Sequence, residues 1–438
     1  PVSLLAIFGV ILYAVVGGPL FTVLAAAAVV AFAFQGISTA AVISEMTRLA
    51  GSPVLVSIPL FTFAGYVFAE GKTPQRLVRV THAAFGWMPG GLAIVAMLAS
   101  AVLTAFTGAS AATIVAMGGL LMPALLRDRY SERFSLGLLT TSGSLGLLFP
   151  PSLPLILYSF VATQAAGGLN LSPAESPSVD RLFLAGIVPG AFLILVLSLL
   201  CVREGRAKRI QRTPFRFDEL FRALRAAAWD MPLPVIVFGG IYSGLLTVME
   251  AAACTALYAL IVEFFIHRDV PLRKLPAITT ESMVLVGAIL IILGAAMGLT
   301  NYIVDAGVPM TMLEWMRGAV KSRLVFLLML NILLLIMGGL KDVFSAIIVV
   351  VPLVVPIARE YHVNLVHLGI IFLTNIEIGY LTPPVGLNLF ISAFRFRKPI
   401  VEVYRAVIPW LLMMLVALLF VTYLPELSLF LLRWIPVR

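Results

Sequence analysis

Charge is scarce in this sequence. Only 12% of its 438 residues are Asp, Glu, Lys or Arg, whereas about 25% is usual for a soluble domain. No polar stretch is long enough to enclose a core of its own, so a soluble domain is excluded. Apolar runs of roughly 18 residues or more, long enough to cross a bilayer, recur along the chain, and 61% of its residues are hydrophobic. This pattern predicts an all-helical protein that crosses a membrane several times.

Cysteine and histidine are also rare. The two cysteines, Cys201 and Cys254, lie in apolar runs without the spacing of a metal site or a disulfide, so we interpret them as packing residues. The four histidines fall near predicted membrane interfaces, and His362 and His367 do not have the i, i+4 spacing of a zinc pair. The sequence therefore predicts no transition-metal site.

Enzyme and nucleotide-binding motifs are missing as well. The sequence contains no phosphate-binding P-loop, no GxSxG elbow and no CxxC pair. Covalent catalysis and ATP-driven transport by this chain alone are therefore not expected, and transport would draw on an ion gradient. The net charge of +9 does not indicate nucleic acid, because the basic residues cluster in short loops beside apolar runs. The N-terminus lacks the basic stretch of a signal peptide, so we expect a retained membrane segment there.

Two short segments inside long apolar runs resemble each other. Residues 146–151 and 379–384 each combine a glycine with a Pro-Pro pair, and the same separation links Pro123 to Pro356. A helix break at membrane depth is costly unless protein or a polar cavity satisfies the open backbone. One such break is typical of a simple proline kink, but a matching pair indicates the binding site of an inverted-repeat transporter.

Two other apolar runs, 90–126 and 323–358, are too long for one straight crossing and have no charged loop midway. Each contains instead a short stretch of small or polar residues, 107–113 in the first and 338–342 in the second. The simplest interpretation is a re-entrant helical hairpin with these residues at its tip.

The basic residues predict how the two halves are oriented. We assign 203–231, which is rich in arginine, to the cytoplasm; with both hairpins re-entrant, most of the 30 Lys and Arg residues then fall on that side. The two halves consequently have opposite orientations in the membrane. A more polar stretch precedes each hairpin, at 73–87 and 301–318, and such stretches usually lie along the interface.

Polar side chains near the breaks are candidates for binding. Unwound carbonyls and helix C-terminal ends suit a small cation, whereas helix N-terminal ends suit an anionic group. The hydroxyls and amides in these regions belong to Ser142, Ser144, Ser152, Thr374, Asn375, Thr382 and Asn388.

Charged residues inside apolar runs are also functional candidates. Lys341 and Asp342 are adjacent at the second tip, where they could pair with other groups or Lys341 could meet a substrate carboxylate. Glu377 lies one turn before the second break and is either functional or the structural partner of an arginine. Glu250 follows a short predicted turn, and we assign it to a structural role near a helix N-terminus.

These motifs resemble the large membrane subunit of TRAP (tripartite ATP-independent periplasmic) transporters, the DctM type. The resemblance covers nearly all of the chain, and its most specific part is the run Thr382-Pro383-Pro384-Val385-Gly386-Leu387-Asn388. The other strong segments are 59–65, 89–92, 108–123, 145–152, 240–253 and 375–390.

The resemblance implies sodium-coupled uptake of a small organic anion across the bacterial inner membrane by an elevator motion. The anion would be a C4-dicarboxylate, sialic acid, another sugar acid or a keto acid, and sodium would be the only metal ion. It also implies two partners, a small four-helix membrane subunit and a periplasmic substrate-binding protein. Besides these, the chain would contact lipid and no nucleic acid.

The resemblance, together with the candidates above, assigns site residues. Sodium ligands would come from the two tips and the two breaks: Gly108, Ser110, Thr113, Gly146, Pro150, Gly339, Asp342, Gly379, Thr382 and Asn388. Substrate contacts would come from Ser152, Lys341, Asn375 and Pro384. The chain departs from the family at the first tip, where Thr107-Gly108-Ala109-Ser110 replaces the usual Ser-Gly-Ser-Ser and one hydroxyl is missing.

The predicted fold is an all-α polytopic membrane protein with two inverted repeats, each containing a re-entrant hairpin and a broken helix. Scaffold helices and the two interfacial arms would occupy 1–52, 53–88, 166–280 and 281–320. The transport domain would comprise 89–165 and 321–396, and a C-terminal helix would occupy 397–438. Two alternatives stay open: a stand-alone sodium/carboxylate symporter that needs no binding protein, and a channel or non-transporting membrane subunit.

Overall fold

A computed structural model describes residues 2–34, 38–167, 175–210, 213–230, 232–307 and 320–435, together with residues 311, 314, 316 and 318. Every regular element in these ranges is helical. Eight helices of the described chain are long and apolar enough to cross a membrane, or nine spans if the bent pair Glu132–Leu148 and Leu153–Ala165 counts as one. The prediction of an all-helical polytopic membrane protein is confirmed.

The first half of the chain contains the first predicted hairpin and the first break. Its helices are α1 (Val2–Val15), α2 (Leu20–Phe34), α3 (Ala40–Ala50), α4 (Pro53–Glu70), α5 (Thr73–Phe85), α6 (Gly91–Thr107), α7 (Ser110–Arg127), α8 (Glu132–Ser142) and α9 (Leu153–Ala165), with a 3-10 turn at Leu145–Leu148. The apolar run 90–126 is thus split in two within the predicted tip, and the run 133–160 is broken at the Pro-Pro pair.

The second half of the chain contains the second predicted hairpin and the second break. Its helices are α10 (Val179–Ala207), α11 (Phe217–Ala226), α12 (Pro232–Tyr242), α13 (Val248–Leu260), α14 (Leu275–Asp305), α15 (Arg323–Leu340), α16 (Val343–Glu360), α17 (Leu365–Gly379), α18 (Leu387–Phe396), α19 (Ile400–Tyr423) and α20 (Pro425–Trp434), with a π-helical turn at Ile261–Ile266 and a 3-10 turn at Leu272–Lys274. The run 323–358 is split at the second tip, between α15 and α16.

The second interfacial stretch was predicted to begin at residue 301, and this boundary is wrong. Helix α14 continues to Asp305, because apolar residues extend its packing surface past the predicted end. Most of the rest of 301–318 lies outside the described residues. The first stretch, 73–87, forms α5 as a separate helix.

Several side chains differ from their predicted environments. His367 is fully buried rather than interfacial: its Nδ1 lies 3.1 Å from the Ser428 hydroxyl and its Nε2 lies 3.2 Å from the Thr422 carbonyl oxygen. Cys201 is buried as expected, whereas Cys254 is exposed on α13. Burial of His367 depends on α19 and α20 folding back over α17, a contact that sequence spacing does not reveal.

Glu250 has the structural role that the sequence predicts. Its amide donates to the Thr247 hydroxyl at 3.3 Å, and its carboxylate accepts the Thr247 amide at 2.7 Å. This reciprocal capping box satisfies two of the free N–H groups at the start of α13.

The two hairpins pack in a matching way. The first helix of each hairpin packs against the break of its own half: α6 contacts the 3-10 turn Leu145–Leu148, and α15 contacts α17. The second helix of each hairpin packs against the helix that follows the break of the other half: α7 contacts α18, and α16 contacts α9. Residues around the first break are therefore buried by protein, as an open backbone in a membrane requires, whereas residues 383–385 at the second break are exposed.

Helix α5 is fixed by a buried ionic cluster around Arg76. Its guanidinium donates to Asp230 at 2.6 Å, to Glu263 at 2.9 Å and to Asp269 at 2.5 Å. Burial alone would raise the pKa of Asp269, but hydrogen bonds from Arg76 and Lys72 outweigh it and lower that pKa below its usual value. This carboxylate therefore stabilises the fold above its unfolded pKa, and the contribution is lost as the pH falls through the lower folded value.

Arg76→Gln is expected to lower the free energy of unfolding by about 3–5 kcal/mol, because it leaves three carboxylates near one another without their shared cation. The control is Arg79→Gln on the same helix, which removes the exposed pair with Glu219 and should cost at most about 1 kcal/mol. Thermal unfolding in detergent micelles measures both. Equal shifts for the two variants would contradict a stabilising role for the cluster.

Candidate functional site

The two tips place short non-helical segments inside the protein. Helix α6 ends at Thr107, and Gly108 adopts a left-handed conformation (φ +64°) before α7 begins at Ser110. This backbone conformation favours glycine, which has no Cβ to clash. At the second tip, Lys341 and Asp342 both have extended backbones between α15 and α16.

Each break approaches the first arm of its hairpin at a glycine. A Cβ on Gly146 would run into the carbonyl oxygen of Ala101 and the amide nitrogen of Ala105. A Cβ on Gly379 would lie 2.5 Å from the Cα and the carbonyl carbon of Gly338. No larger residue fits at these two predicted site positions, so they bring the break and the tip of each half together.

Both tips and both breaks border one cavity of about 290 Å³. Residues 108–111 and Leu147 line it from the first half, and residues 342–344, Tyr380 and Leu387 line it from the second. The remaining wall is α14, which presents Leu285, Ala288, Ile289 and Ile292, an i, i+3, i+4, i+7 stripe on one helix face. The tertiary structure therefore brings together segments that lie more than 200 residues apart.

The two tips differ in how the following helix is capped. Helix α16 has an N-cap side chain, since Asp342 accepts the Ser345 amide at 3.0 Å and the Ser345 hydroxyl at 2.5 Å. The Val343 amide also donates to the Tyr380 hydroxyl at 2.7 Å. The N-cap residue of α7 is Ala109, which has no capping side chain, so the first N–H groups of this helix stay available to a ligand. Ser110, 4% exposed, makes no side-chain hydrogen bond within the described chain.

Below the first tip lies a cluster of oxygen atoms. The hydroxyl of Thr104 lies 2.8 Å from the hydroxyl of Thr113 and 2.9 Å from the carbonyl oxygen of Gly143. All of these groups are buried. The sequence analysis proposed Thr113 but not Thr104, which has the pattern of an ordinary helical residue. Its position nine residues before Thr113 matters only because the hairpin folds back on itself.

The second break is joined to the second tip through the backbone. The Gly386 amide donates to the Gly339 carbonyl at 3.0 Å, and the Thr382 hydroxyl donates to the Ile378 carbonyl at 3.1 Å. Asn388 is fully buried, and its amide nitrogen donates to the Thr140 carbonyl of the other half at 3.3 Å. The Asn388 side-chain oxygen has no partner within the described chain, so it can accept a ligand.

The two Pro-Pro pairs differ in exposure. Pro150 and Pro151 are buried, whereas Pro383 and Pro384 are exposed. Both pairs contain a cis peptide bond. Pro384, a predicted substrate contact, therefore lies at the surface. Its carbonyl oxygen accepts a hydrogen bond from the Tyr404 hydroxyl at 2.7 Å.

The other predicted substrate contacts lie away from the cavity wall. Ser152 is buried as the N-cap of α9, and its hydroxyl donates to the Leu147 carbonyl. Asn375 donates to the Asn331 side chain at 2.7 Å. Lys341 is exposed and forms no ion pair within the described chain. Of the adjacent charged pair at the second tip, only Asp342 lines the cavity.

Within the described chain Glu377 has no arginine partner, contrary to one of the two interpretations of its role. The residue is 0% exposed, and neither carboxyl oxygen has a hydrogen-bond partner within the described chain. An ionised carboxylate in such surroundings would be costly. Elsewhere in the described ranges, no three His, Cys, Asp or Glu side chains form a group that could hold a metal ion.

The chain is similar to known transport proteins. A family model described as "Tripartite ATP-independent periplasmic transporter, DctM component" matches residues 4–427. The C4-dicarboxylate TRAP transporter large permease protein DctM of Pseudomonas aeruginosa is 36% identical over 382 residues, 87% of this chain and 86% of that protein. The isethionate TRAP transporter permease protein DctMQ of Oleidesulfovibrio alaskensis is 31% identical over 96% of this chain and 64% of that protein.

Two further similarities are more distant. The ectoine TRAP transporter large permease protein TeaC of Halomonas elongata is 27% identical over 95% of each chain. The crystal structure of the Alcanivorax borkumensis YdaH transporter superposes with a TM-score of 0.61 at 14% identity, covering 90% of this chain and 88% of that one. At this identity, the likeness to the solved structure concerns the fold alone.

Gly379→Ala is expected to destabilise the protein by about 1–3 kcal/mol, because the added methyl group overpacks against backbone that cannot rotate away. Gly287→Ala on α14 is the control: nothing lies within 4 Å of its added Cβ, and alanine favours a helix by up to about 1 kcal/mol over glycine. Thermal unfolding in detergent measures both variants. If Gly379→Ala unfolds at the same temperature as the unsubstituted protein, the break does not touch the hairpin as described.

Proposed function

This chain belongs to the DctM family of TRAP transporters, and we propose that it takes up a small organic anion coupled to sodium by an elevator motion. Membership makes it a multi-pass transporter permease of the bacterial inner membrane and not an enzyme. Sodium coupling, the elevator motion and the class of solute are the proposed part.

The observation that carries the proposal is the convergence of both tips and both breaks on one cavity against α14. The wall from α14 is an apolar stripe, and within the described chain it makes no hydrogen bond to either tip. Such a wall suits a surface along which a transport domain slides. The matching packing of the two hairpins supports two inverted repeats as the moving unit. The cavity volume, about 290 Å³, is near the lower end of the roughly 300–1,000 Å³ usual for ligand pockets and suits a compact solute.

The two ends of the cavity suit opposite charges. The uncapped start of α7 and the unpartnered Ser110 hydroxyl offer N–H and O–H donors at the positive pole of a helix dipole. We assign a carboxylate or sulfonate group of the solute to this end. At the start of α16, the Asp342 carboxylate already compensates the positive end of the helix dipole. This carboxylate would repel an anion and favour a cation nearby.

The sodium sites are assigned to oxygen atoms behind the tips. Behind the first tip, the Thr104 hydroxyl lies within hydrogen-bond distance of both the Thr113 hydroxyl and the Gly143 carbonyl oxygen. At the second, we assign the Asn388 side-chain oxygen, which has no partner within the described chain, together with Thr382 and the Gly339 carbonyl. Unwound carbonyls and hydroxyls of this kind hold sodium in discontinuous membrane helices. The first tip lacks the second serine hydroxyl typical of the family, so Thr104 is assigned its place.

Two partners complete the proposed system: a small membrane subunit and a periplasmic binding protein. The DctMQ relative supports a small subunit, because its name joins two components and this chain covers only 64% of its length. The family description supports a periplasmic component. The relatives are named for C4-dicarboxylates, isethionate and ectoine, which share at least one anionic group, and we propose a solute with that feature.

Reconstituted uptake tests the proposal and its rivals. In proteoliposomes containing the chain, its small subunit and the binding protein loaded with radiolabelled succinate or isethionate, an inward sodium gradient should concentrate the solute. Undiminished uptake when potassium replaces sodium would overturn the coupling. Uptake without the binding protein would favour a stand-alone symporter, and flux that never exceeds equilibrium would indicate a channel.

Thr382→Val and Thr113→Val are expected to raise the sodium concentration for half-maximal uptake by about tenfold each, the equivalent of losing one oxygen contact of about 1–1.5 kcal/mol. Thr255→Val is the matched control, because Thr255 is a buried helical threonine that bonds only its own helix, at the Ala251 carbonyl. Sodium titrations of uptake, normalised to protein abundance, measure the effect. An unchanged sodium dependence in both site variants would refute the assignment.

A further inference from the structure

Helix α11 is amphipathic, and its apolar face is exposed instead of packed against the protein. Phe217, Phe221 and Leu224 follow an i, i+4, i+7 spacing and so lie along one face. They are 73%, 61% and 39% exposed. Phe215 just before the helix and Trp229 just after it are also about half exposed. The result is a continuous aromatic surface, which we call the α11 stripe.

The stripe cannot be hidden by rotating the helix. Ala223 and Ala227, on a different face, pack in a small core with Val80 of α5. The Arg79 guanidinium donates to the Glu219 carboxylate at 2.9 and 3.0 Å. These contacts fix α11 along α5, with its aromatic side turned away from the protein.

The position of α11 in the chain places it at a membrane surface. The apolar helix α10 ends at Ala207 and α12 begins at Pro232, so the segment between them leaves and re-enters the membrane on one side. Its excess of arginine assigns that side to the cytoplasm. An exposed aromatic stripe at this level lies where amphipathic helices insert their apolar side between lipid headgroups.

Cations that form no ion pair within the described chain lie on α11 itself and at the end of α10. Arg225 lies one helical turn after Phe221, and it is exposed with no ion pair in the described chain. Arg206, Lys208 and Arg209, at the end of α10, are likewise exposed and unpaired. The acidic residues of α11 are already engaged by other arginines. Free positive charge beside an apolar face complements the anionic phospholipids of the cytoplasmic leaflet.

We propose that the α11 stripe and its flanking arginines form a binding surface for anionic phospholipid headgroups, with the aromatic side chains inserted among the acyl chains. Through Ala223, Glu219 and the Arg76 cluster, α11 is continuous with α5 and the loops at Asp230 and Asp269. Lipid held by α11 therefore anchors this side of the protein at the cytoplasmic surface of the membrane.

Site-specific quenching tests where the stripe lies. In a protein carrying Cys201→Ala and Cys254→Ala, a bimane label is attached to Phe221→Cys or, as the matched control one residue along the same helix, to Arg222→Cys. Both proteins are placed in nanodiscs of phosphatidylcholine with or without phosphatidylglycerol. Nitroxide-labelled lipid should quench the label at position 221 severalfold more than the label at 222, and iodide should do the reverse. Both positions are exposed, so folding is checked by gel filtration alone.

Lipid retention tests the role of charge. Native mass spectrometry should show phosphatidylglycerol bound in preference to phosphatidylcholine, and Arg225→Gln should lower that preference by about fivefold, the factor expected for one basic residue near an anionic surface. Arg433→Gln, an exposed arginine paired with Glu426, is the control and should leave the preference unchanged.

Three results would overturn the proposal. Iodide quenching at 221 equal to that at 222 would place the stripe in water. Resistance of the 221 label to both quenchers would mean that protein, either a partner subunit or a second copy, covers it. An unchanged phosphatidylglycerol preference in Arg225→Gln would remove the role of charge.

Discussion

A polypeptide inside a lipid bilayer must pair its own backbone groups, because lipid offers no hydrogen bonds. This constraint governs both helix breaks of the structure. Each break is held between the first helix of its own hairpin and the second helix of the other. Protein buries the Pro-Pro pair of the first break, whereas residues 383–385 of the second are exposed. Gly146 and Gly379 make this possible, since only a residue without a side chain lets the two backbones come so close. The cavity, the tips and the proposed ion sites all depend on this contact.

The two halves are alike in architecture and unlike in chemistry. Helix α7 starts without a capping side chain, whereas α16 is capped by Asp342 and by the Tyr380 hydroxyl. The first Pro-Pro pair is buried and the second is exposed. A repeat that had kept identical residues would offer two equal ends to a ligand. The difference gives the cavity one end with free donors and one end with a carboxylate, which is the polarity that a solute with an anionic group and a sodium ion require.

A buried ionic cluster connects α5 to distant segments of the chain. Arg76 collects carboxylates from three separate segments of the chain. Each of those buried carboxylates alone would be costly, and only their common cation makes the arrangement stable. Helix α11 lies against the same region and leaves its aromatic face uncovered, so one short helix connects the buried ionic cluster to the membrane surface.

Local features of the sequence were enough to predict an all-helical polytopic membrane protein, the positions of both breaks and both tips, and the role of Glu250. These depend on apolar run length, on glycine and proline, and on capping spacing. The same local rule could have found α11, whose Phe217, Phe221 and Leu224 have helical spacing. Sequence did not reveal Thr104, the burial of His367, the lone carboxyl of Glu377 or the separation of Lys341 from the cavity. These four features follow from the tertiary structure, because each depends on which segment packs beside the residue. A local sequence pattern does not identify that neighbouring segment when it lies tens or hundreds of residues away.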